Sequence, residues 1–484
     1  MNYKMMGRLI ALILLVETVF MIPALLICLY DHNFGPAAAF LQAMAVTLVV
    51  AGCLALFSRN ACGGFYAREG LVCVGISWLV MSLLGCLPFY FSGQIPHYVD
   101  ALFEIVSGFT TTGASILPDV EHLARGILYW RSFSHWLGGM GVLVFLLAVV
   151  PTSGRNDGFT VHLLRAESPG PDVGKLVPRM KQTATILYLL YVLLTALNIL
   201  FLLLGRMPLF DAVCTAFGTA GTGGFGIKNN SIAGYSPYLQ NVCTVFMLLF
   251  GVNFSCYYLL MLRRFRSVFR DEELRLYLGI AAGSTALIVW NLHGYYATLG
   301  ETVRHAAFQV SSIMTTTGFA TTDFDRWPSF SKAILLGLMF VGACAGSTGG
   351  GIKCSRVVIL FKILHRNVRQ VLHPQKVQVV RFNGQPMDEK ILSNTNAYLS
   401  AYVIITLASF ILLSLDGFSL TTNFSAVMAC FNNIGPGLDA VGPTCNYSGY
   451  SVLSKLVLIL DMLAGRLEIF PILVLFSRST WKRR

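Results

Sequence analysis

The sequence predicts an all-α polytopic membrane protein, with four pseudo-symmetric helix/pore-loop/helix repeats around a central pore and two extra N-terminal helices. The first observation behind this is bulk composition. Of 484 residues, 55% are hydrophobic and only 12% charged, with a mean hydropathy of +0.66, whereas a soluble domain carries about 25% charged residues. Second, apolar runs near the roughly 20 residues that span a hydrocarbon core lie at about 8–30, 37–58, 70–92, 129–150, 184–205, 237–262, 275–293, 330–363 (interrupted), 396–415 and 450–477. Third, the chain repeats itself. Phe109-Thr110-Thr111-Thr112-Gly113 returns as Phe217-Gly218-Thr219-Ala220-Gly221, Met314-Thr315-Thr316-Thr317-Gly318 and Phe431-Asn432-Asn433-Ile434-Gly435, with glycines 108, 97 and 117 residues apart. A phenylalanine stands ten or eleven residues before each glycine: Phe103, Phe210, Phe308 and Phe424.

Residues 1–60 form a helix pair without such a loop. The first run has no small-residue cleavage site and reads as a retained helix; Glu17 within it is expected to face protein, because a carboxylate facing lipid is costly. The first repeat, 69–150, contains a half-length helix at roughly 98–109, too short to cross and therefore re-entrant. Asp100 and Glu104 would lend acidic character to its entrance. The second repeat, 183–265, leaves its loop glycine open among Gly221, Gly223 and Gly224: matching Phe217 to Phe109 and Phe431 gives Gly221, matching Gly224-Phe225 to Gly318-Phe319 gives Gly224, and the first is preferred because it keeps the preceding short helix at equal length. The third, 274–365, has a broken last span. The five glycines between Val341 and Lys353 would each cost about 1 kcal/mol relative to alanine in a helix, so an extended, mobile segment is expected. Residues 366–393 make a cytoplasmic connector. The fourth repeat, 394–484, has a loop without threonines and a rigid exit at Pro436.

Non-helical backbone survives at membrane depth only where it is buried in protein or lines a wet cavity. Glycine reaches φ > 0 freely, so it lets successive carbonyls point the same way. Four such segments about one axis would offer a ring of carbonyl oxygens, the device that replaces the water shell of a potassium ion. On these loops, their near-constant period and the flanking spans, the chain resembles the Trk/Ktr/HKT superfamily of potassium transporters over essentially its whole length; its two leading helices are similar to those of the TrkH branch. The resemblance implies potassium uptake across a bacterial inner membrane, with K+ held by Thr111, Thr112, Gly113, Thr219, Ala220, Gly221, Thr316, Thr317, Gly318, Asn433, Ile434 and Gly435. It implies an intramembrane gating loop at Gly346, Ser347, Thr348, Gly349, Gly350, Gly351 and Lys353. Arg466 is implied as an arginine that points into the pore below the filter as an electrostatic barrier; a purely structural pair with Glu468 or Asp461 is the alternative reading. The resemblance also implies a homodimer and a cytosolic nucleotide-binding regulatory ring (TrkA-like) docked on residues 364–393. A proton- or sodium-coupled symporter on the same scaffold stays open beside a gated channel. Only one glycine per loop recurs in all four, so fewer ion sites than in a potassium-channel filter are expected, with some admission of rubidium or sodium.

The net charge of +12 does not point to nucleic acid, because of where it lies. Arg59 and Arg68, then Arg155, Arg165, Lys175, Arg179 and Lys181, then Arg263, Arg264, Arg266, Arg270 and Arg275, then Lys362, Arg366, Arg369, Lys376 and Arg381, and finally Lys482 to Arg484 all fall on one side of a ten-span chain. By the positive-inside rule that side is the cytoplasm, with both termini in it. Residues 346–353, GSTGGGIK, are no Walker loop: Ile352 separates Gly351 from Lys353, and Cys354 stands where serine or threonine is needed. The twelve cysteines show no metal-ligand spacing and read as small buried hydrophobes. No organic cofactor is expected. A membrane-embedded enzyme would want an exposed acidic or histidine cluster, and His135, His293 and His305 form no such set.

Overall fold

The computed structural model describes residues 1–59, 67–139, 141, 180–376 and 378–481. The far half of the span expected at 129–150, the basic residues Arg155, Arg165, Lys175 and Arg179, and Lys482 to Arg484 lie outside the described residues. The described chain is mostly helical, and its helices start where short polar side chains can cap free N–H groups. Asn2 accepts from Met5 N to open Tyr3–Tyr30, Asp271 from Leu274 N to open Glu272–Asn291, Thr298 from Glu301 N to open Leu299–Met314, and Ser451 from Ser454 N to open Val452–Arg466.

Five described helices are long and apolar enough to cross a membrane: Tyr3–Tyr30, Phe34–Phe57, Arg68–Phe91, Ala184–Leu204 and Glu389–Asp416. A multi-pass membrane protein follows. The expectation of one unbroken span at 237–262 is corrected: Pro237–Phe250 and Phe254–Met261 meet at 87°. Asn253 caps the second piece by accepting from Ser255 N at 2.9 Å, so the break carries its own helix start. The last span of the fourth repeat also breaks, at Glu468 and Ile469, both with positive φ (55° and 68°). The interruption expected in the third repeat alone therefore recurs in the second and fourth.

The repeats close on one another. Each contributes one short helix: Tyr98–Phe109, Leu209–Gly221, Leu299–Met314 and Leu420–Phe431. The returning helix Arg125–Gly139 packs on the second short helix, Pro237–Phe250 on the third, Ser329–Val341 on the fourth, and Val452–Arg466 on the first. That cyclic order places the ends of the four short helices around a common axis. The N-terminal pair packs outside the first repeat, against Ala67–Gly85 and Arg125–Gly139. Glu17 is only 1% exposed and faces protein, since a Cβ on Gly85 would lie 2.6 Å from its Oε1 and 2.8 Å from the Phe109 ring. Beyond Cys354–Leu372, Arg381–Phe382 pairs antiparallel with Gln385–Pro386 across Asn383-Gly384, both at positive φ as a two-residue hairpin requires.

Gly126 marks the crossing of the N-terminal pair with the repeats: a Cβ there would stand 2.6 Å from the Ala24 carbonyl oxygen and collide with Cys28 Sγ. Gly126→Val is expected to lower the melting temperature of the purified protein through an overpacking cost of about 1–3 kcal/mol. Gly283→Val, with open space within 4 Å, should stay within about 0.5 kcal/mol. Equal melting temperatures would show that the pair does not seat at Gly126.

Candidate functional site

The four short helices end in the same hydrogen-bonded motif, and that motif sets the register of the site. Thr112 N donates to Ser107 O, Gly223 N to Gly218 O, Thr317 N to Ser312 O and Ile434 N to Ala429 O, each at 2.8–2.9 Å. One residue earlier, Thr111 N donates to Gly108 O, Thr222 N to Thr219 O, Thr316 N to Ile313 O and Asn433 N to Cys430 O. These paired bonds are Schellman caps. The residue that turns the chain has φ of 57° at Thr111, 54° at Thr222, 57° at Thr316 and 56° at Asn433. Two residues on, positive φ returns at Gly113 (79°), Gly224 (75°), Gly318 (84°) and Gly435 (95°).

This register corrects the second loop. Thr219, Ala220 and Gly221 are the last residues of the helix Leu209–Gly221, and Gly221 holds the place of Thr110, Thr315 and Asn432. The counterparts of Thr111, Thr112 and Gly113 are Thr222, Gly223 and Gly224. Phe217 is not the counterpart of Phe109 and Phe431: it sits one turn inside its helix, whereas they end theirs. The structure follows the alternative match, Gly224-Phe225 with Gly318-Phe319.

The four loops interlock. A Cβ on Gly113 would collide with the Gly223 carbonyl oxygen, one on Gly224 with that of Thr317, and one on Gly318 with that of Ile434; on Gly435 it would stand 2.6 Å from that of Thr112. The contacts run from loop to loop and close on themselves. The carbonyls preceding the four glycines therefore gather at one place, and the residues Thr111, Thr112, Gly113, Thr316, Thr317, Gly318, Asn433, Ile434 and Gly435 are brought together there with Thr222, Gly223 and Gly224.

The support behind each loop differs. Glu104, fully buried, accepts from Ser115 Oγ at 3.0 Å, from Ile116 N at 2.8 Å and from Arg131 Nε. Arg131 continues to Gly226 O at 2.8 Å and lies 3.6 Å over the Phe225 ring, tying the exits of the first and second loops. Asp100 pairs with Lys455 at 2.8 Å. The two acids expected to colour the entrance are thus engaged in ion pairs. In the second loop the His135 ring fills the space that a side chain at 223 would take, at 2.4 Å from a Cβ there, and stacks on Phe225 with centroids 4.1 Å apart. In the fourth, Asn433 Nδ2 donates to Thr112 Oγ1 at 3.0 Å and to Met462 O at 2.9 Å.

The glycine-rich segment lies against the underside of this ring and is pinned. Gly350 N donates to Thr316 Oγ1 at 2.7 Å, and a Cβ on Gly350 would meet Asn432 O at 2.5 Å. Glu273 accepts from Ala345 N at 2.6 Å and from Ser355 N at 2.9 Å, so one buried carboxylate holds both flanks. Glu468 pairs with Lys353 at 2.9 Å and with Arg356. Arg466 donates to Thr348 O at 2.8 Å, to Gly139 O at 2.7 Å and to Gly138 O, crossing from the fourth repeat to the third and first. Asp461 instead accepts from Ser409 Oγ at 2.8 Å. The anchors Glu273, Arg131 and His135 were missed in the sequence: nothing local marks a buried acid or imidazole as the brace of a distant backbone.

A family model described as TrkH, a cation transport protein, matches residues 36–483. The chain is 36% identical to the Trk system potassium uptake protein TrkH of Escherichia coli (strain K12), with all of both chains covered. It is 35% identical to the Trk system potassium uptake protein TrkG of the same strain over 86% of each. Its fold superposes on the crystal structure of the potassium transporter TrkH from Vibrio parahaemolyticus with a TM-score of 0.86, at 30% identity and full coverage of both chains.

The His135 brace is testable without any transport assay. Gly223→Ala should lower the melting temperature, and His135→Ala in the same chain should recover part of the loss, giving a coupling of about 0.5–3 kcal/mol in a double-mutant cycle. Additive effects would remove His135 from that role.

Proposed function

The chain belongs to the TrkH family of cation transport proteins, and from that premise we propose that it takes up potassium ions across a bacterial inner membrane through the ring of four interlocked loops. The observation that carries this reading is the closed cycle of glycines, each lying against the carbonyl of the next loop. An entering ion exchanges water for carbonyl oxygens of Thr111, Thr112, Gly113, Thr222, Gly223, Gly224, Thr316, Thr317, Gly318, Asn433, Ile434 and Gly435. Such sites must be strong enough to dehydrate the ion and weak enough to release it. The four loops share a backbone and not side chains, which supports a modest preference for potassium over sodium.

Below the ring, residues 346–353 act as the gate and Arg466 as an electrostatic barrier. The hydrogen bonds of Gly350 to Thr316 and of Arg466 to Thr348 favour this reading, because they tie the segment to the ion path at two points. A guanidinium there repels a cation most where the surrounding dielectric is low. Opening requires these bonds to exchange partners together. A cytosolic nucleotide-binding ring of the TrkA type, docked on the basic cytoplasmic face of a homodimer, supplies the force. The termini lie in the cytoplasm on the positive-inside argument.

Gly318 tests the ring. Gly318→Ser places a side chain against the Ile434 carbonyl at a φ of 84°, so potassium over sodium preference in proteoliposome flux should fall by about tenfold or more, a change of roughly 1.4 kcal/mol. Unchanged preference would take Gly318 out of the ion path. Arg466→Ala is expected to raise flux in the absence of the cytosolic partner, as is deletion of residues 346–351. Lower flux in a protein that still melts like the parent would make Arg466 a structural strut and refute the barrier.

A further inference from the structure

The helix Cys354–Leu372 leaves the glycine-rich segment and leads into residues 373–393, the connector that the positive-inside argument assigns to the cytoplasm. At the usual rise it is about 28 Å long. Two of its faces have no role in the ion path. One carries Phe361, Leu364, Val368, Val371 and Leu372, all exposed, with Val371 at 80%; the spacing of three, four, three and one puts them on one stripe. The neighbouring face carries Lys362, His365, Arg366, Arg369 and, just past its end, His373. These basic side chains line a cavity of about 550 Å³ closed on its other side by Lys376 and by Val379 to Arg381 of the hairpin.

The cavity is under-neutralised. Lys362 pairs with Glu272 and Arg366 with Glu389 at 2.6 Å, while Arg369, Lys376 and Arg381 make no ion pair among the described residues. Arg366 reaches Glu389 through Nη1, and its Nε is buried without a hydrogen-bond partner among the described residues. Five guanidinium and ammonium groups converging on one concave space suit a phosphate-bearing anion. A free phosphate would fill little of a volume in the range of small-molecule sites, and it would make no use of the apolar stripe bordering the cavity. A cytosolic ring docked on residues 364–393 would meet their outer surface and leave the concave interior to a smaller anionic group. A second copy of this chain in a twofold contact would bring the same positive charges against themselves.

We propose that this cavity is a headgroup site for an anionic glycerophospholipid of the cytoplasmic leaflet, with the acyl chains lying along Phe361, Leu364, Val368 and Val371. The bound lipid would tether the far end of the helix that begins at the glycine-rich segment. Basic side chains near such a leaflet contribute about 1 kcal/mol each, and three of them correspond to a retention difference on the order of a hundredfold.

The test uses the full chain in phosphatidylcholine nanodiscs doped with phosphatidylglycerol, followed by native mass spectrometry of the lipid kept after detergent washing. The parent protein should retain phosphatidylglycerol in preference to phosphatidylcholine, and Arg369→Gln/Lys376→Gln/Arg381→Gln should lose that preference by about a hundredfold with an unaltered melting temperature in detergent. Leu364→Gln/Val368→Gln should weaken retention of the lipid, and millimolar inorganic phosphate should not displace it. The proposal is overturned by equal retention of the two lipids, by equal retention in parent and triple variant, or by displacement with inorganic phosphate, which would mark a free-anion site. Unchanged lipid retention with loss of a soluble nucleotide-binding partner, or with loss of the dimer, would assign the surface to that protein contact instead. Should the triple variant melt lower, the single variant Arg369→Gln is read in the same way.

Discussion

The core of this protein depends on backbone brought closer to backbone than any side chain would allow. At Gly113, Gly224, Gly318 and Gly435 the missing Cβ is what lets one loop rest on the carbonyl of the next. The positive φ at these positions is available to glycine without penalty. Because the contacts form a cycle, each loop is held in place by its neighbours, and displacing one relaxes the seat of the following one. The residues that turn the chain into the ring are less comfortable. Thr111, Thr222 and Thr316 are β-branched at φ near 55°, at a cost of about 1–2 kcal/mol each. Such strain persists where the surroundings over-determine it. Here they do: the caps fix the helix ends, Thr316 Oγ1 accepts from Gly350, and Asn433 reaches Thr112 and Met462.

Around this ring, buried charges replace regular secondary structure as the organising force. Glu104, Glu273 and Glu468 each hold two or more donors where the chain leaves a helix. A carboxylate taken out of water is tolerated only when paired or hydrogen-bonded, so each of these acids dictates the position of what it binds. Losing one partner of such a pair costs about 3–5 kcal/mol, more than the pair itself contributes. The repeats are therefore alike in backbone and unlike in support. The first uses Glu104 and Arg131, the second an imidazole, the third a glycine-rich segment, and the fourth an asparagine network. That division lets the underside of the ring, where Arg466 and Thr348 meet, differ from the symmetric upper part.

Hydrophobicity, repeat period and the positions of glycine are local properties, and they were enough to read a fourfold helical membrane protein from the chain. Three of the four loops could be placed to the residue because their caps end in the same pattern of small or polar residues and glycine. The second could not, since Phe217 and three nearby glycines allow two registers that differ by less than one helical turn; only the hydrogen bonds of Thr222 and Gly223 choose between them. The same limit hid the breaks at 251–253 and 467–469. The first rests on Asn253 capping a new helix and the second on Glu468 reaching Lys353 and Arg356, more than a hundred residues away in sequence.

What the chain alone determined was the inventory: a membrane-spanning helical protein, four re-entrant elements, a glycine-rich interruption and an arginine near the end that lipid would not accept. What tertiary structure decided was partnership. Asp100, Glu104, Asp461 and Arg466 each had several conceivable neighbours, and the fold assigned them Lys455, Arg131, Ser409 and a set of backbone carbonyls. The reason is physical: apolar burial depends on local pattern and is additive along the sequence, whereas a buried charge is satisfied only by whichever distant group the packed helices carry within about 3 Å of it.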